Sequence, residues 1–173
     1  MRTKKGVSVL VSYVMLVVFV LVAAIISYQW LKTYVPREKT ECVEGLSVFI
    51  KDAVFNITNR KLSINASNNG RFDVAGYFIY GSNKAGDENP STNLAGYLNK
   101  SYGENVGNAV VVSLGYNDLK TGKEWKAVFD IPSSLGEIKK IRIVPVRFEE
   151  ENKRIKLVSC TNVAIKSDVT QVS

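Results

Sequence analysis

Histidine is absent from the 173 residues, and cysteine, methionine and tryptophan occur twice each. Without histidine the chain lacks the commonest general base. Two cysteines, Cys42 and Cys160, cannot furnish the four Cys or His ligands of a structural zinc site. No CxxC is present, which removes a thioredoxin-like redox motif. Carboxylates could still move protons, but no two of them converge in the sequence. The residues therefore imply a protein that is not an enzyme and holds no cofactor and no metal. Clustered charge is also scarce. The formal net charge is +7, yet Lys and Arg are scattered, and the densest groups are Arg2, Lys4, Lys5 and Lys139, Lys140, Arg142. Neither resembles an element that tracks phosphates, so nucleic acid is not an expected partner. No internal repeat is visible.

What the chain does have is one long apolar run. Gly6 to Leu31 carries no charge, and Val14 to Ile26 is uninterrupted Val, Met, Leu, Phe, Ala and Ile. About 20 apolar residues at a rise of about 1.5 Å cross a bilayer core. A secretory h-region is shorter, about 7–15 residues, and ends in a small-residue cleavage site, to which Ala23-Ala24 is a faint match. The run predicts a membrane-spanning helix over residues 7–35. Backbone groups in lipid must bond internally, so helix prevails over the β-branched valines. Tyr28, Trp30 and Tyr34 sit at its end, where amphipathic rings favour the interface. Pro36 disfavours helix at Val35 and predicts a stop there. Arg2, Lys4 and Lys5 before the span balance Lys32, Arg37 and Lys39 after it, so positive charge does not set the orientation. Long C-terminal domains translocate regardless of such a count.

The stretch Lys4-Lys5-Gly6-Val7-Ser8, running straight into the apolar helix, resembles the class III signal peptide of archaeal type IV pilins and archaellins. Gln29-Trp30-Leu31 and Tyr34-Val35-Pro36-Arg37 at the far end are similar to that family as well. The resemblance implies cleavage by a prepilin peptidase between Gly6 and Val7. Loss of the basic leader, residues 1–6 with Arg2, Lys4 and Lys5, would lower the net charge from +7 to +4. Bacterial type IV pilins carry Glu at mature position five. Val11 stands there in this chain, in keeping with an archaeal rather than a bacterial pilin. An anchor that is never cut is the other reading of the same segment. Ser8 with Ser12, and Ala23 with Ser27, would let such helices pack closely in either case.

After Cys42 the pattern changes to short apolar runs of period two. Leu62, Ile64 and Ala66 alternate with Ser63, Asn65 and Ser67. Trp125, Ala127 and Phe129 alternate with Lys126 and Val128. Ile155 and Leu157 flank Lys156. Strands with one buried face are predicted near 46–51, 53–58, 60–67, 73–81, 109–114, 124–131, 138–148 and 153–160, with one more at 162–166. Turn signals at Asn68-Asn69-Gly70, Thr121-Gly122-Lys123, Pro132-Ser133-Ser134 and Glu149 to Asn152 separate them. Seven to nine short strands without a long helical pattern predict a β-sandwich over residues 42–166. Residues 62–79, a strand, a turn and a strand, resemble the immunoglobulin-like head of archaellins and archaeal pilins. The expected fold class is thus an N-terminal transmembrane α-helix plus an all-β immunoglobulin-like sandwich. Pro145 would mark an edge strand or a bulge. Residues 81–108, rich in Gly, Asn and Ser, read as a long functional or mobile loop. Residues 167–173 read as a polar, frayed tail.

Cys42 opens this domain and Cys160 lies near its last strand. In an oxidising compartment they would form a disulfide; otherwise they are two buried thiols acting as small apolar groups. Three N-x-Ser/Thr sequons, at Asn56, Asn65 and Asn99, are glycosylation candidates, with Asn99 in the loop the most accessible. Glu149, Glu150 and Glu151 form an acidic turn beside Lys153 and Arg154, a solvated turn or, less simply, a cation site. Two functions fit. One is a pilin-like filament subunit, whose partners are the lipid membrane, copies of itself, a prepilin peptidase and an assembly machinery. The other is a single-pass anchored binding module. Both put the C-terminal domain outside the cell membrane.

Overall fold

The computed structural model describes residues 4–34, 42–112, 116–151 and 154–173. The chain divides into two units, Met1–Lys39 and Thr40–Ser173. The expected helix stop at Val35 and Pro36, and Arg2, Arg37, Lys39, Asn152 and Lys153, lie outside the described residues. So do residues 113 and 114 of the strand predicted at 109–114.

The first unit is α1 (Lys4–Tyr34), 31 residues long. It already includes Lys4, Lys5 and Gly6 of the basic leader rather than beginning at Val7, because neither Lys5 nor Gly6 stops a helix that continues through the apolar run.

The second unit is β-rich. In chain order its strands are β1 (Val48–Asn56), β2 (Lys61–Asn68), β3 (Gly76–Ser82), β4 (Thr92–Asn93), β5 (Glu104–Val106), β6 (Ala109–Val111), β7 (Glu124–Asp130), β8 (Lys140–Glu151), β9 (Arg154–Ser159), β10 (Ile165–Asp168) and β11 (Thr170–Val172). They make two sheets. The smaller runs β11-β1-β2-β7, and the larger runs β10-β8-β3-β6-β5, with β4 on β3 and β9 on β8. The alternating residues close one shared core: Leu62, Ile64 and Phe129 from the smaller sheet meet Tyr77, Ile79 and Ile143 from the larger.

Several expectations need correction. The two strands predicted at 46–51 and 53–58 are one strand, β1, whose register on β2 slips between Ile50 and Asp52. Such a bulge restores the inward face after an extra residue, which is why the pattern looked interrupted. Ile155 and Leu157 do not mark a buried face: Ile155 is 64% exposed, and Val158 is the buried residue of β9. The strand pairs with β8 alone, opposite Phe148 and Glu150, so its Ile155 face has no second layer.

Pro145 lies in an interior strand, not at an edge. β10 pairs with β8 only as far as Ile143, and β9 begins at Val146. The Pro145 carbonyl accepts from Cys160 N at 2.8 Å on that side. In an antiparallel strand the N–H and C=O of one residue share a side, so the missing N–H falls in the gap between β10 and β9.

Residues 81–108 are not a free loop. Leu94 and Ala95 are buried, short 3-10 turns occupy Ala95–Tyr97 and Lys100–Tyr102, and Leu98 bridges to Phe129 on the outer edge of β7. The apolar group Leu94, Ala95, Tyr97 and Leu98, diluted among glycines and asparagines, pins the segment across both sheets. The polar tail is also ordered. Asp168 pairs with Lys140 in the larger sheet, Val169 is buried, and Thr170 to Val172 run parallel to β1 in the smaller one. The domain therefore extends to the last residues instead of ending at 166. Close approach of β6 to β3 requires glycine at position 76, where a Cβ would come within 1.9 Å of the Val110 carbonyl oxygen.

Candidate functional site

The helix is the first feature with no internal explanation. Val11–Lys32, 22 residues with a mean hydropathy of 2.5, is long and apolar enough to cross a membrane, and none of it is buried. At about 1.5 Å per residue it spans about 33 Å. Val14, Met15, Leu16 and Val17 are consecutive and each is at least 55% exposed. Consecutive residues sit about 100° apart, so the apolar surface goes all the way round and no polar stripe faces water. The Gly6–Val7 bond, with Lys4 and Lys5 before it, falls in the first turns of this helix.

The cysteines are joined. The Cys42–Cys160 disulfide brings two Cα atoms to 5.1 Å across a sequence separation of 118. Cys160 is buried, and its N–H bond to Pro145 fixes it against β8. The covalent link therefore ties the first described residue of the β domain to the residue that follows β9, itself hydrogen-bonded to β8.

At the Cys42 end of the domain lies a recess of about 340 Å³ lined by Arg71, Phe72, Asp73, Tyr116, Asn117, Asp118, Lys120 and Arg147. Its walls are held by side-chain bonds that no local pattern foretold. Asn117 imitates a strand: Nδ2 donates to the Phe148 carbonyl at 3.1 Å and Oδ1 accepts from Phe148 N at 2.9 Å. Asp73 accepts from Thr121 N at 2.9 Å and from Lys120 Nζ at 3.2 Å. The Thr121 N–H first, and the Lys120 ammonium with it, hold the Asp73 carboxyl below its ordinary range. Arg147 lies 5.2 Å from the Phe72 ring centroid and donates to the Asp73 carbonyl.

At the opposite end Arg60 closes the turn between β1 and β2. Its side chain donates to the carbonyls of Ile131, Pro132 and Gly136 at 3.1, 2.9 and 2.6 Å. Nothing but its place next to Asn59 in a turn marks it in sequence. In the core, burial pushes the Tyr77 phenol well above its ordinary range, beside the stacked Trp125 ring.

The sequon asparagines are dispersed. Asn56 closes β1 and accepts from Asn59 N. Asn65 lies mid-strand in β2, half-buried, next to Asp52 and Lys126. Asn99 is also half-buried, and its side chain caps a 3-10 turn by accepting from Ser101 N at 3.1 Å. Glu149 and Glu150 belong to β8 rather than to a turn, and alternate residues of a strand face opposite ways. Glu149 lies 3.9 Å from Arg147. Among the described residues no three His, Cys, Asp or Glu side chains gather as a metal group.

The chain matches no family model, no curated protein and no solved structure. The pilin and archaellin resemblance rests on the N-terminal residues themselves.

Proposed function

We propose that this chain is a pilin-like structural subunit of a cell-surface filament, of the archaeal type IV pilin and archaellin kind. One observation carries the reading: a helix apolar on every face and long enough to cross a membrane, with none of Val11–Lys32 buried. Such a surface costs about 25 cal/mol per Å² in water. Lipid removes that cost before assembly, and neighbouring copies of the helix remove it in a filament core. The basic leader, residues 1–6, is cut between Gly6 and Val7 by a prepilin peptidase, and the two-sheet domain faces outside as an immunoglobulin-like shell. The disulfide is consistent with an oxidising compartment and with a subunit pulled through its N-terminus.

Mass spectrometry of the mature protein tests this. A chain beginning at Val7 is expected; a mature protein that retains Met1 and the leader overturns it. The second reading, a membrane-anchored binding module that does not polymerise, is favoured by the recess around Arg71 and Arg147. Electron microscopy of cells expressing the chain separates the two, since only the first produces filaments.

A further inference from the structure

We propose that the recess at the Cys42 end of the β domain is a binding site for an acidic sugar. Its polar groups divide into two sets. Asp73 and Lys120 neutralise each other, since the ammonium sits 3.2 Å from the carboxylate and Thr121 supplies further donors to it. Arg71 is not consumed in this way. Arg71 makes no hydrogen bond or ion pair through its side chain among the described residues, and its stem is laid across Gly45, where a Cβ would come within 3.3 Å of Arg71 Cδ. A φ of +94° at Gly45 and the Arg71 N–H bond to its carbonyl at 2.8 Å hold that bed in place. Arg147 is braced on Phe72, donates from Nη1 to the Asp73 carbonyl and pairs through Nε with Glu149 at 3.9 Å, so it forms part of the wall.

The unpaired Arg71 guanidinium suits a carboxylate, which it binds through a planar fork. The rest of the lining suits a hydroxylated ring. Tyr116, 69% exposed, offers a flat apolar wall. Asn117 has both side-chain atoms locked on Phe148 and so presents a fixed edge. Asp118, with no hydrogen bond through its side chain among the described residues, can accept from hydroxyls. The volume, about 340 Å³, lies at the small end of ligand pockets, about 300–1,000 Å³, and fits one or two sugar units. The site does not depend on whether the chain polymerises.

The test is a titration of the full chain in detergent micelles, followed by backbone amide NMR shifts at Arg71, Tyr116 and Asn117. The ligands are sodium glucuronate, glucose and sodium acetate. Glucuronate is expected to bind at least about tenfold more tightly than either of the others, a difference of about 1.4 kcal/mol. Arg71→Gln and Tyr116→Ala, both at exposed side chains, should each weaken glucuronate about tenfold while leaving the core resonances in place. Equal affinity for glucuronate and glucose, or for glucuronate and acetate, overturns the proposal. So does an absence of shifts at about 50 mM glucuronate, or full binding by Arg71→Gln.

Discussion

The guanidinium of Arg60 stands 5.6 Å from the centroid of the Phe55 ring, the two residues closing the same hairpin from its turn and its strand. Arg60 adopts a φ of 55°, a left-handed conformation that costs a branched or long residue about 1 kcal/mol or more. The cost is offset by the three carbonyls that its side chain satisfies, all from the Ile131–Gly136 segment. Arg60→Ala keeps the backbone cost and loses the donors, so a destabilisation of about 2–3 kcal/mol is expected. Arg60→Gly relieves the backbone and should lose about 1 kcal/mol less. Chemical denaturation of the full chain in detergent, read by near-UV circular dichroism, checks the order. If Ala were the milder change, the strain at this position would not be real.

The disulfide is expected to be the largest single contributor to the stability of the β domain. A loop with a sequence separation of 118 corresponds to about 4–5 kcal/mol in the chain-entropy picture. The double variant Cys42→Ser, Cys160→Ser should therefore unfold at a much lower denaturant concentration, and the wild type should follow it under reducing agent. Coincident curves for wild type and variant in oxidising buffer would refute this.

The C-terminal residues should resist being treated as a tail. Gln171 Nε2 donates to the Ile138 carbonyl at 2.8 Å, and Ile57 N donates to the Val172 carbonyl. Gln171→Ala should cost about 1 kcal/mol, and Val169→Asp, which buries a charge, about 3 kcal/mol or more. Denaturation midpoints read both. A frayed end would leave them unmoved.

Acid should act through Asp73 in a defined window. Its carboxyl is held below the ordinary value by the Thr121 N–H and the Lys120 ammonium. A carboxylate with a lowered folded-state pKa stabilises the fold above the unfolded value, about 3.9, and that stabilisation is lost as pH falls through the folded value. Asp73→Asn should thus be less stable than wild type near pH 7. The gap should narrow as pH falls through the folded-state value of Asp73, below which both carry a neutral side chain. A gap that stays constant as the medium is acidified would assign the effect to geometry rather than charge. The variant also leaves the Thr121 bond with an amide acceptor, so the change is modest for so exposed a group.

Membrane association should reside in α1. Val18→Lys with Leu21→Lys places two ammonium groups mid-span, a penalty of about 5–7 kcal/mol on insertion scales. The double variant should leave the carbonate-resistant membrane fraction, and filaments, if formed, should vanish with it. Unchanged fractionation would mean that the helix does not hold the chain in the bilayer.

Local pattern by itself determined the two-part organisation. A run without charge over Gly6–Leu31 must be helix wherever water is absent, since only a helix bonds its own backbone. Period-two alternation in Leu62–Ala66 and Trp125–Phe129 predicted strands with one inward face, and those faces are the buried ones. The pairing of Cys42 with Cys160 could be anticipated because the chain holds no other cysteine. Tertiary structure alone decided the rest. The single strand β1 with its bulge, the interior position of Pro145, the parallel docking of β11 and the packing of Leu94 against the core all depend on partners far along the chain. The recess likewise assembles Arg71, Tyr116 and Arg147 from three separate segments. Hydrophobic alternation records only which way a side chain must point. Which strand lies beside it, and which polar groups meet at a sheet's end, follow from long-range contacts that no local periodicity encodes.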